Sequence, residues 1–381
     1  MTVRVDVAAS LYAWASERSG LDSSELARKF PKLPQWENGD QQPTLKQLEQ
    51  FARATRTPVG YFFLSAPPND EVPIADLRTV GDRGIRRASP DLLDTIYQCQ
   101  QRQDWYHDHA RSIGLDPIPR IGSLTTATPV EEAASAMTDE MSFSVERRGK
   151  SWTEAFSRLR DQAEEGGVLV MVSGVAGSNT RRKLDPNEFR GFALADPLAP
   201  LVFVNGADTK AAQIFTLMHE LAHLWLGETA LSDIDLSVQA THETERWCNA
   251  VAAQVLVPLE MLLADFDDRA DLTDELERLA RQFKSSTLAV LRRVHEAGYL
   301  DWDSYRRAYR DELRRVMRLI DARGGGGDFY NTQTARVSKR FARSVIASTL
   351  EGQTLYTDAL QMLGLKKLAT FNNMGERLGV M

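Results

Sequence analysis

The chain has 381 residues, 43% of them hydrophobic and 26% charged, with a formal net charge of −7. That length exceeds one ordinary core, so two or three domains are expected, and the composition excludes a disordered or fibrous protein. The acidic balance argues against a phosphate-binding surface over the whole molecule, and the absence of a long apolar run or a secretory N-terminal pattern makes a cytoplasmic, non-membrane protein the expectation.

Taken in chain order, residues 1–68 read as all-helical through SLYAWASERSG, SSELARKF and TLKQLEQFARATRTPVGYFFL. Ser23 or Ser24 is positioned to cap the second of these helices and Thr44 the third. Residues 69–150 form a charged helical connector, with helices expected near 90–113 and 129–141, and Pro117, Pro119 and Pro129 between them. His107 and His109 flank Asp108 at a spacing that does not converge on a helix, so they read as surface residues. Residues 151–262 change pattern. A helix, SWTEAFSRLRDQAEEG, is followed by three β-rich stretches, VLVMVSG, RGFALAD and PLVFVNG, then by helical patterns at 209–226 and 243–257. Residues 263–323 are a helical extension, GGGGD at 324–328 is a linker, and 328–381 form a C-terminal helical unit. The fold class is therefore α+β and predominantly helical.

The run TLMHELAHLWLGE carries the chemistry. Residues four apart on a helix share one face, so His219 and His223 can aim two imidazoles at one ion, and neutral imidazole is a good zinc ligand. Glu220 projects beside that ion, where it can accept a proton from water as a general base. A third ligand is legible in HETERWCNAVAAQVLVP. The apolar stripe Cys248, Val251, Ala252, Val255 extends back three positions to Glu245, and a carboxylate in register with a core stripe is costly unless neutralised. His242 and Glu243 lie off the stripe. Asn249, one turn beyond Glu245, is placed to hydrogen-bond a ligand imidazole. Cys248 reads as a small core residue, and with Cys99 as the only other cysteine there is no disulfide framework. The plainer alternatives are histidines bonded to their neighbours and a Glu245 held in a surface ion pair.

HELAH, followed by E-x-x-x-N at the start of a helix ending in VLVP and preceded by PLVFVNG, resembles the ImmA/IrrE family of zinc metallopeptidases. The resemblance covers about 150–300. It implies a zincin-like core with a small sheet, flanked by helical N- and C-terminal domains. It also implies one Zn2+ per chain held by His219, His223 and Glu245, Glu220 as base, and a repressor or other regulatory protein as substrate. Where many members have a second Glu before the Ala-Asn pair, this chain has Trp247 and Cys248. Zincin enzymes bind an extended peptide against a sheet edge, so Leu201, Val202, Phe203 and Val204, or residues 191–195, are expected to supply that edge. No residue is marked by the sequence as the oxyanion donor.

SSELARKFPKLPQWENGDQQPTLKQLEQFA resembles an Xre-type helix-turn-helix, but the part between Ala27 and Trp36 is short and carries Pro31 and Pro34, so the recognition helix is clipped. Residues 1–67 hold eight basic and seven acidic side chains, weak for a DNA reader. Protein docking or a structural role is favoured there over specific DNA binding, and no DNA-binding residue is assigned. A second echo, ELERLARQFKSSTLAVLRRVHEAGYL, includes the pair Arg292 and Arg293, with packing as its default reading. Arg336, Lys339, Arg340 and Arg343 read as a solvated helix face, or as a grip for a protein or RNA. The layout also resembles Xre-plus-peptidase proteins proposed as antitoxins beside a PIN-like ribonuclease toxin. That provides the alternative function, a binding or transcription-regulating protein that uses the zincin core as a scaffold.

Overall fold

The computed structural model describes residues 4–68, 72–76, 88–232, 242–321 and 329–381. The expected linker at 324–328 lies outside the described residues. Contacts divide the chain into two compact units, one drawn from Met1–Pro73 and Val80–Ile96, the other from Ile74–Thr79 and Tyr97–Met381.

The first unit holds helices α1 (Ala9–Ser19), α2 (Ser23–Lys29), α3 (Leu33–Glu37) and α4 (Leu45–Ala54), then a 3-10 turn at Val59–Phe63. Asp22, not Ser23 or Ser24, caps α2, its carboxylate accepting from Ser24 N at 2.6 Å. The two serines already lie inside the first turn. Thr44 caps α4 in a reciprocal capping box with Gln47. Pro34 opens α3, where its missing N–H is harmless, and the five-residue helix turns Trp36 into the core. There Trp36, Phe51 and Phe62 surround Tyr12 at centroid distances of 5.9, 5.8 and 6.2 Å.

In the second unit the chain forms a two-residue strand β1 (Ala75–Asp76), the part of α5 (Pro90–Ser112) from Tyr97 on, α6 (Val130–Glu140) and α7 (Trp152–Glu165). Then come β2 (Leu169–Ser173), β3 (Gly191–Leu194), β4 (Leu201–Asn205), α8 (Lys210–Leu226), β5 (Ala230–Ser232) and α9 (Glu243–Leu256). The strands make one mixed sheet in the order β1-β5-β3-β4-β2. β2 and β4 are parallel, β3 is antiparallel to both β4 and β5, and β1 is parallel to β5. Strands β2 to β5 are buried at every residue, which explains their near-continuous apolar runs. Val170, Val172, Val202 and Val204 share a core with Ile214, Leu217, Met218 and Leu221 of α8, while Phe189, Phe192 and Phe203 stack together.

The chain continues through α10 (Leu259–Asp265), α11 (Leu272–Phe283), α12 (Thr287–Glu296) and α13 (Trp302–Asp321). Arg148 ties this extension to the core. Fully buried, its guanidinium donates to the carbonyls of Leu256, Phe283 and Val255, each at 2.6 Å, satisfying the otherwise orphaned C-terminal ends of α9 and α11. Burial pulls this guanidinium down to about 9, still charged at neutral pH. Arg293 is also buried, bonded to Val257 O and paired with Glu296, which Arg292 pairs as well. Both members of the basic pair are thus engaged within the chain, Arg293 buried and Arg292 half-buried.

The last helices are α14 (Phe329–Val337), α15 (Lys339–Leu350), α16 (Tyr356–Met362) and α17 (Leu368–Leu378). Here the solvated basic face is corrected. Lys339 pairs with Asp161 at 2.9 Å, Arg340 donates to Tyr106 Oη at 2.7 Å, and Arg343 donates to Leu378 O at 3.1 Å. Side chains that read as a free stripe act as staples because α15 lies against α5 and α7. His107 and His109 are likewise engaged. His107 Nδ1 lies 3.0 Å from Asp196, and His109 stacks on Trp105 with centroids 5.0 Å apart. Among the described residues no single helix is long and apolar enough to cross a membrane.

Candidate metal centre

The centre is built by α8, α9 and β5. Thr209 caps α8, accepting from Ala212 N at 3.2 Å, and Gly227 ends it in a left-handed turn at φ 73°. Between these ends every residue from Gln213 to Trp225 is buried, so HELAH sits in the middle of a core helix. Glu245 enters from the first turn of α9, where the helix dipole favours a carboxylate.

Three side chains converge. His219 Nε2 and His223 Nε2 are 3.1 Å apart, His223 Nε2 is 3.1 Å from Glu245 Oε1, and His219 Nε2 is 3.3 Å from Glu245 Oε2. All three residues are fully or almost fully buried. A tetrahedral zinc ion, with bonds near 2.0–2.1 Å, needs its donor atoms roughly 3.3 Å apart. The two imidazoles stand near that spacing from each other and each from one Glu245 oxygen, one donor atom from each residue lies within 4.8 Å of the others, and the set of two imidazoles and a carboxylate suits zinc. Among the described residues it is the one His/Cys/Asp/Glu group with such convergence.

Electrostatics agree with a metal-ready state. Burial holds His223 below its ordinary value, keeping its imidazole neutral, as a ligand must be. Burial pushes the Glu245 carboxyl up, but the facing His219 and His223 outweigh it and hold it below the usual carboxylate range. Glu220 behaves oppositely. Burial and then the nearby Glu245 charge push its carboxyl well above the ordinary value, against a smaller opposing pull from the Ser232 hydroxyl, and among the described residues neither of its oxygens has a hydrogen bond of good geometry. An orphaned, fully buried carboxyl beside two ligand imidazoles is costly to keep without a cation to face.

Two expectations change. Asn249 does not hold a ligand imidazole, because its Oδ1 and the Nδ1 atoms of His219 and His223 are all buried without partners. With both Nε2 atoms aimed at Glu245, the ring geometry turns each Nδ1 away from the carboxylate. Leu201, Val202, Phe203 and Val204 cannot offer a peptide edge either, since β4 is paired to β2 on one side and β3 on the other. Residues 191–194 are equally enclosed, between β4 and β5. The edge nearest the centre is the outer side of β5, which β1 covers with Ala75 opposite Ala230 and Asp76 opposite Leu231.

Nothing in the sequence marks Ser232. Fully buried at the end of β5, its Oγ lies 3.2 Å from Glu245 Oε1 and 3.3 Å from His223 Nε2. Trp247 also has a task, donating its indole N–H to Thr128 O at 2.8 Å and so locking α9 to the loop before α6. Cys248 is a buried core thiol, as expected.

Comparison with known families gives two matches. Residues 163–295 match the Peptidase_M78 model, described as an IrrE N-terminal-like domain, and residues 337–377 match a domain of unknown function, DUF8813. The first match spans α8, β5 and α9 and supports both the ImmA/IrrE resemblance and a zinc-type metallopeptidase class for this region. No curated protein matches the chain.

Proposed function

We propose that the protein is a zinc-dependent metallo-endopeptidase of regulatory type, cutting a repressor or other partner protein rather than bulk polypeptide. The observation that carries this reading is the convergence of His219, His223 and Glu245, with the Glu220 carboxyl buried beside them. Zinc bound by those three side chains supplies a Lewis acid for the scissile carbonyl and lowers the pKa of water toward neutrality. Glu220 takes the proton of the attacking water and later returns it to the leaving amine. His219 and His223, one helical turn apart in the buried stretch of α8, hold fixed positions throughout.

Substrate restriction follows from access. The centre has almost no exposed surface, and the strand edge beside it is already taken by Ala75 and Asp76. A peptide adding itself to β5 has to displace β1 first. Co-expression with the neighbouring gene product tests the reading. Fragments of the partner with wild type, and intact partner with Glu220→Gln, are expected.

The same burial favours a second reading, an antitoxin-like protein that neutralises a PIN-like ribonuclease or regulates transcription with the core as scaffold. An intact partner held in a stoichiometric, metal-independent complex by both wild type and Glu220→Gln decides for it.

A further inference from the structure

Ser232 stands where two elements of the centre meet. Its backbone is held in the sheet opposite Gly191, and its hydroxyl is enclosed between His223 and Glu245. The hydroxyl has one proton to give. The Glu220 carboxyl also feels this hydroxyl but forms no hydrogen bond of good geometry with it, so in the state that accepts a metal ion the acceptors are His223 Nε2 and the Glu245 carboxylate, and the charged oxygen is the stronger of the two. The proton therefore goes to Glu245 Oε1, 3.2 Å away. Glu245 Oε2 is left buried with no hydrogen bond, on the side of His219.

We propose that Ser232 is a positioning residue of the metal centre, donating to Glu245 Oε1 so that the carboxylate offers a single oxygen, Oε2, to the ion. This rests on the zinc reading above. It gives Glu245 a fixed rotation that its place in the first turn of α9 does not impose, since among the described residues Ser232 is its hydrogen-bond donor besides the ligand imidazoles.

The test measures zinc affinity by chelator competition and the visible spectrum of the cobalt-substituted full chain. Ser232→Ala is expected to weaken zinc binding by about 10- to 100-fold and to shift the cobalt bands. Ser232→Thr keeps the hydroxyl and is expected to stay near wild type, while Ser232→Val, of the same shape, behaves like the alanine variant. Wild-type affinity and an unchanged cobalt spectrum in Ser232→Ala overturn the proposal, as does equal loss in the threonine and valine variants. Wild-type protein that binds no zinc removes the underlying metallopeptidase reading as well, so the two failures are told apart by the wild-type control.

Discussion

Gly191 on β3 and Glu220 on α8 meet with no room for a methyl group between them. A Cβ on Gly191 would lie 3.0 Å from Glu220 Oε1, 2.6 Å from Thr216 Cγ2 and 2.9 Å from Phe203 O. The backbone oxygen cannot yield, so relief must come from α8. Gly191→Ala is expected to cost about 1–3 kcal/mol in urea unfolding and to lower peptidase activity while zinc is retained. Unchanged stability together with unchanged activity would show that β3 does not set the position of Glu220.

Removing the metal should loosen the core. With free zinc at about a thousand times its dissociation constant, binding contributes about 4 kcal/mol of stability. Thermal unfolding with and without a chelator is expected to show a clear fall for wild type and none for the His219→Ala/His223→Ala double variant. Equal chelator sensitivity in both would place the stabilising ion elsewhere.

Arg148 offers a test independent of function. Arg148→Met leaves three helix-end carbonyls without their donor, at roughly 1 kcal/mol or more each, so a loss of about 3 kcal/mol is expected in denaturant unfolding. A loss below about 1 kcal/mol would mean that water or a shifted neighbour replaces the guanidinium.

The pairing of β1 with β5 predicts a kinetic effect. Replacing both Ala75 and Asp76 with proline removes every N–H that this two-residue strand can offer. With a cleavable peptide, KM is expected to fall while zinc content stays the same. A KM that rises instead would make β1 part of the peptide platform rather than its competitor.

Much of the centre is legible in the sequence alone. Four-residue spacing put His219 and His223 on one face, and the stripe through Cys248 and Val251 led back to Glu245, because helical periodicity links distant core positions. Sheet order has no such code. The run LVFV reads as an edge, and its apolar residues do not decide the matter, since β2 at the end of the sheet is just as apolar and as buried. Two-residue β1 is too short to show alternation, and Ser232 is an ordinary serine whose role exists only once β5 reaches α9. The basic residues of α15 are ambiguous for a related reason, since a charged stripe looks the same in sequence whether it meets water or acceptors on α5, α7 and α17.

The most direct measurement is metal content of the purified chain by mass spectrometry. About one zinc per wild-type chain is expected, retained in Glu220→Gln and lost in His219→Ala/His223→Ala and in Glu245→Ala. Equal zinc in the wild type and the double histidine variant, or none in the wild type after purification in zinc-containing buffer, would contradict a metal centre at these three side chains.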